Sequence, residues 1–176
     1  MKKALVVVDM QNDFVTGALG TTEAAGIVDL IRHFAESFDG SVYFTMDTHG
    51  EGYLDTQEGQ RLPVEHCIEG TDGWKIVPGL ADLAELADTA ISGSRVVKKN
   101  MFGSLDLAHM LAAGKYDEIH FAGVCTGICV ISNAILAKTV LPGARIVIHG
   151  DLCACTTPES HHIALEAMKL LQMDVI

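Results

Sequence analysis

The strongest constraint on this chain is a repeated switch of hydrophobic period. Lys3–Val8 is a near-continuous apolar run, the pattern of a strand buried on both faces. Over residues 24–38 the period changes. Ile27, Ile31, Phe34 and Phe38 lie three or four apart and mark one face of a helix. Strand-like runs return at 41–46, 95–98, 118–123 and 144–149, and residues 174–176 add a sixth, edge strand. Helical patterns fill 79–87, 105–113, 126–140 and 158–172. The third of these is apolar nearly all round and so is expected to be buried, and the fourth carries Pro158 near its first turn. This alternation predicts an α/β fold of three layers, α/β/α, around a mostly parallel six-stranded sheet with right-handed crossovers.

The 176 residues suit one domain, 1–176. A net charge of −11 disfavours a nucleic-acid partner, because an acidic surface repels phosphates. Lys2 and Lys3 open the chain as a secretory leader would, yet the apolar run stops at Asp9, too soon for an export signal. No stretch is long enough to span a membrane. Five cysteines are an odd number, read here as free thiols in a reducing, cytoplasmic setting. Cys153 and Cys155 are read as small buried apolar residues.

In open parallel sheets the binding crevice lies beyond the C-terminal strand ends. Asp9 follows the first strand, Asp47 and His49 the second, Lys98 and Lys99 end the third, and Cys125 and Cys129 follow the fourth. All are thus expected on one rim. Cys129, early in a helix and near a lysine, is a candidate nucleophile, although a cysteine there is more often structural. Asp9 is the candidate general base, and Lys99 the candidate charge stabiliser. Asp47-Thr48-His49 puts two ligand types on one side of an extended chain, and His66 sits in the same long loop. One carboxylate and two imidazoles suit zinc, iron or manganese. Cys67 is a weaker fourth candidate, since adjacent residues seldom reach one ion. His149 and Asp151 are expected near the rim without a role, and His161 and His162 on a helix surface. Cys125 and Cys129 also offer a redox pair, awkward to bridge.

Five ordered segments resemble the isochorismatase-like cysteine hydrolases, and within them the nicotinamidase-like amidases. They are Asp9-Met10-Gln11-Asn12-Asp13-Phe14, Asp47-Thr48-His49, His66-Cys67-Ile68-Glu69-Gly70-Thr71-Asp72-Gly73, Lys99-Asn100-Met101-Phe102-Gly103-Ser104 and Gly123-Val124-Cys125-Thr126-Gly127-Ile128-Cys129-Val130. The resemblance implies a catalytic triad of Asp9, Lys99 and Cys129. It implies an oxyanion hole at the amides of Cys125 and Cys129, with a cis peptide between Val124 and Cys125. Asp47, His49 and His66 are implied as ligands of a divalent metal ion, zinc first. Phe14 is implied as a wall of the substrate pocket, and the chain as a homo-oligomer acting on a small amide through a thioester. Alternatives on the same scaffold are a ureido or carbamoyl-amide hydrolase and a non-catalytic metal- or ligand-binding homologue. Two positions depart from the nicotinamidase pattern. Pro63 stands where a tryptophan is usual, and Gly127 where an aspartate is usual. The adjacent Lys98 leaves the lysine assignment open by one residue.

Overall fold

The computed structural model describes residues 1–89 and 95–176. Six strands form one parallel sheet in the order β3-β2-β1-β4-β5-β6. They are β1 (Lys3–Val8), β2 (Ser41–Asp47), β3 (Arg95–Lys99), β4 (Glu118–Val124), β5 (Arg145–Ala154) and β6 (Asp174–Val175). In β1, Ala4 to Val8 are all fully buried, as the unbroken apolar run requires. Ala4, Val6 and Val8 face one helical layer, and Leu5 and Val7 face the other. Burying each of the larger side chains contributes about 1.5–3 kcal/mol.

On the first face lie α6 (Leu105–Gly114), α7 (Ile131–Val140) and α8 (Pro158–Leu170). The other face carries α2 (Thr22–Gly26), α3 (Val28–Ser37) and α5 (Pro78–Thr89). This is the three-layer α/β/α arrangement expected from the alternation.

Several elements differ from expectation. The stripe over 24–38 is two helices, because the chain turns at Ile27. Two short helices, α1 (Asn12–Val15) and α4 (Gln57–Arg61), sit where no periodicity is visible. The helix expected over 126–140 begins as a wider turn. Val130 donates to the carbonyl of Cys125, five residues back, and α7 starts at Ile131. β5 runs to Ala154 rather than 149, since its register with β4 jumps from Phe121↔Ile148 to Gly123↔Cys153. His149 and Asp151 therefore lie within β5, before its C-terminal end.

The strand order reverses direction between β1 and β4, with β2 and β3 on one side and β5 and β6 on the other. That switch point opens the crevice of a parallel sheet. Gly123 sits there at φ +111°, and a Cβ would fall 2.2 Å from the carbonyl oxygen of Val8, so only glycine lets β4 pass β1 at this point.

Candidate active site

Asp9 leaves β1 with a left-handed φ of +49°, which turns its carboxylate back over the strand ends. The Thr45 hydroxyl donates to Asp9 Oδ1 at 2.6 Å, and the Asp9 amide donates back to Thr45. Lys99 enters from β3, its Nζ 2.6 Å from Asp9 Oδ2 and 3.2 Å from Asp47 Oδ1. The same ammonium lies 3.6 Å from Cys129 Sγ. All these side chains are buried. Lys98, one position earlier, points the other way. It pairs with Glu69 at 2.7 Å and lies over the Trp74 ring. Strand alternation thus puts one lysine of the pair inside and the other in solvent.

Burial raises Asp9 above the usual carboxylate range, although Lys99 opposes it. Burial pulls the other way on Lys99, but Asp9, Cys129 and Asp47 outweigh it and hold the ammonium charged. For Cys129 burial dominates and Asp9 adds to it, so the thiol is raised well above its ordinary value despite Lys99. The sequence favours a thiol acidified by lysine and helix end. Complete enclosure reverses that sign. The resting pair is a protonated thiol beside a carboxylate of raised proton affinity.

Asp47, His49 and His66, the set the resemblance implied, come together, and Glu58 joins them. One ligand atom from each lies within 4.8 Å of every other. His49 Nε2 is 2.9 Å and His66 Nε2 3.7 Å from Asp47 Oδ2, and both are 4.0 Å from Glu58 Oε1. The loop is pinned to β2, since the amide of His49 donates to Cys67 and that of Glu69 to His49. His66 Nδ1 is 2.8 Å from the Val64 carbonyl, which only accepts. Nδ1 therefore carries the proton, and the Nε2 lone pair faces the cluster, the arrangement of a metal-ligating histidine. Burial would raise Asp47, but His49, His66 and Lys99 hold it ionised below the usual range. Two imidazoles and two carboxylates fit a divalent transition ion. Cys67 is not part of this cluster, and burial pushes its thiol up.

A cavity of about 310 Å³ opens between the cluster and the thiol. Phe14, His66, Phe102, Cys125, Ile128 and Cys129 are among its walls. Phe14 packs against His66, ring centroids 5.4 Å apart. The peptide between Val124 and Cys125 is cis, as the resemblance implied.

Residues 3–176 match the isochorismatase domain family. The chain belongs to the isochorismatase family. It is similar to nicotinamidases of that family. It is 28% identical over 185 residues to a nicotinamidase/pyrazinamidase of Mycobacterium tuberculosis, covering 99% of this chain and 98% of that one. The crystal structure of nicotinamidase/pyrazinamidase from Bacillus subtilis is 33% identical, with TM-score 0.83 over 99% of each chain. A pyrazinamidase of Pyrococcus horikoshii solved in complex with zinc is 25% identical, with TM-score 0.82, covering 100% of this chain and 99% of that one.

Several groups that hold this family member's site together were given no role by the sequence, although Gln11 and Asp13 stand in its first resembling segment. Glu58 is one of several acids between His49 and His66, and no pattern singles it out. It is set by Thr56, which caps α4, and by Gly59, where a Cβ would fall 2.1 Å from the Tyr53 carbonyl oxygen. Gln11 clamps the end of β2, accepting from the Asp47 amide at 2.7 Å and donating to the carbonyls of Asp47 and Trp74. Asp13 accepts from the Cys67 amide, fixing the His66 turn. Asn133 donates to the carbonyls of Cys129 and Phe102 and accepts from the Ser104 amide. His161 is not merely a surface residue, because its Nδ1 is 2.8 Å from the Thr126 hydroxyl in the nucleophile turn.

Proposed function

We propose that this chain hydrolyses the C–N bond of a small, nicotinamide-like amide through a thioester on Cys129. The observation that carries the reading is the position of Lys99 Nζ, within 3.6 Å of Cys129, Asp9 and Asp47 together, with Cys129 and Asp47 themselves on the wall of the cavity. That volume is near the small end of ligand sites, which suits a single-ring substrate.

Asp9 takes the Cys129 proton as the sulfur attacks the carbonyl carbon. The oxyanion is received by the amides of Cys125 and Cys129. As the tetrahedral species collapses, Asp9 returns the proton to the departing nitrogen and ammonia leaves. Asp9 then deprotonates a water that attacks the thioester, and the thiol is regenerated with release of the acid. Lys99 stays charged throughout and offsets the negative charge passing between sulfur and carboxylate. Phe14 and Phe102 bound the ring.

Asp47, His49, Glu58 and His66 would hold a divalent ion, zinc first among the candidates. Asp9 and Asp47 share one ammonium, and Glu58 adds a third carboxylate beside the two imidazoles, an excess of negative charge that a divalent cation relieves. When bound, the ion supplies a Lewis-acid centre that orients the substrate.

The test is ammonia release from a panel of amides including nicotinamide and pyrazinamide, with ureido compounds alongside, comparing wild type with Cys129→Ala. Wild type should turn over at least one amide, and the variant should lose about 10⁴-fold or more in kcat. Equal turnover by the variant sinks the reading. Turnover of ureido compounds alone transfers the triad to carbamoyl chemistry.

A further inference from the structure

Two cysteines beside the nucleophile turn have side chains that hydrolysis does not use. The Cys125 side chain lines the cavity, and Cys155 follows β5. Val124 pairs with Ala154 across parallel β4 and β5 and is the last residue of β4 as Ala154 is of β5, so Cys125 and Cys155 leave the ends of adjacent strands side by side. Neighbouring strands run about 4.8 Å apart, inside the Cα separation that disulfides span. Each thiol is the first cause of the shift in the other's proton affinity. Cys155 Sγ also lies beside Gly127, 3.7 Å from where a Cβ there would sit, and the Ser160 side chain and the backbone of Gly127 and Thr156 favour its anionic form. That surrounding favours a thiolate. Its pKa is lowered to about 4, first by the neighbouring Cys125 thiol, while Cys155 and burial push Cys125 up. A second cavity, of about 360 Å³, reaches Cys155 from the α2 side. Cys129 faces Lys99 instead, and Cys153 is buried with its sulfur toward the Phe121 carbonyl.

We propose that Cys155 and Cys125 form an oxidation site for hydrogen peroxide, with Cys155 as the attacking sulfur and Cys125 as the resolving one. The Cys155 thiolate attacks one peroxide oxygen, the O–O bond breaks, and hydroxide leaves. Cys125 then attacks the sulfenic sulfur. The S–S bond forms, and the sulfenic oxygen leaves as water with the Cys125 proton. The two cysteines lose two electrons, which peroxide takes up. The bridge ties the first residue of the nucleophile turn to β5 and stops hydrolysis, a consequence that rests on the function proposed above. Bridge formation does not depend on that function.

The experiment uses Cys129→Ala protein treated with peroxide, alkylated and digested with trypsin. Peptide 116–138 should emerge linked to peptide 146–169, with fragmentation placing the bond at Cys125 and Cys155 and dithiothreitol releasing it. The link should be lost in Cys129→Ala/Cys155→Ser and in Cys129→Ala/Cys155→Ala, each checked for folding by thermal melt. It should persist in Cys129→Ala/Cys153→Ser. No link in the Cys129→Ala protein, or a bond mapped to Cys153, overturns the proposal. With Cys129 present, peroxide should inhibit amide hydrolysis and dithiothreitol restore it. A bridge that forms in reduced protein lacking amide turnover spares the dithiol and sinks the proposed function instead.

Discussion

Two buried polar networks share this sheet, and they are built to opposite ends. Below the rim, Glu118 accepts from His120 at 2.7 Å and from Arg145 at 2.9 Å, with Lys3 at 3.7 Å. His120 Nδ1 in turn meets His149 Nε2 at 2.7 Å, the rings stacked at 25°, and Phe34 and Phe38 pack beside them. Both Glu118 oxygens are matched there, and Arg145 reaches solvent, so the network is closed and stabilising. At the rim one lysine serves two aspartates and a thiol, and Asp9 Oδ2 has an ion pair without a hydrogen bond of good geometry. The first network satisfies its groups. The second leaves proton affinity and charge unbalanced, which is a cost to folding and a resource for chemistry.

The largest test of this contrast is at the Asp9–Lys99 pair. Asp9→Asn and Lys99→Met should each abolish amide turnover and cost about 3–5 kcal/mol, because each strands a buried charge. The double variant should regain much of that stability in urea melts and none of the activity. If it stays as unstable as the singles, the rim charges are not in opposition. Next in size is the metal cluster. Glu58→Gln and His66→Ala should lower bound divalent metal per chain, measured by atomic emission on untagged protein, and His66→Ala should lower kcat/KM by about tenfold or more. Full metal content in both variants breaks the assignment of the cluster. A smaller effect is expected below the rim, where Glu118→Gln should lose about 1.5–3 kcal/mol of stability and leave turnover unchanged.

The smallest effect is a pH dependence. Burial and the adjacent His120 lower His149 to about 4, against about 6.5 in an unfolded chain. As pH falls below 6.5 the unfolded chain takes up this proton first, so stability declines from about 6.5 down to 4. His149→Gln should flatten the slope of melting temperature between pH 7 and 5. An unchanged slope would falsify this account of His149.

Strand ends were legible because hydrophobic runs stop at polar residues. That rule alone brings Asp9, Asp47, Lys99 and Cys129 to one edge, as the geometry has them. It could not separate Lys98 from Lys99, since alternation fixes which faces inward only once the register with β2 is known. Glu58 was hidden because its approach depends on a tight turn at Gly59. The end of β5 was misplaced because a bulge has no hydrophobic signature. Cys155 reads as core by composition, and only the strand pairing gives it a sulfur neighbour. The sign of the Cys129 shift depends on enclosure, which no spacing reports.

β3 lies at the margin of the sheet, and among the described residues it pairs only with β2. Lys99, which serves both rim aspartates and the thiol, is thus carried on an edge strand. Parting β3 from β2 would withdraw Lys99 while the layers around β1 and β4 stayed packed, an opening far cheaper than global unfolding. Working lifetime and fold lifetime are then separate quantities. Amide hydrogen exchange at β3, rather than the melting of the whole molecule, would report how long the enzyme stays armed.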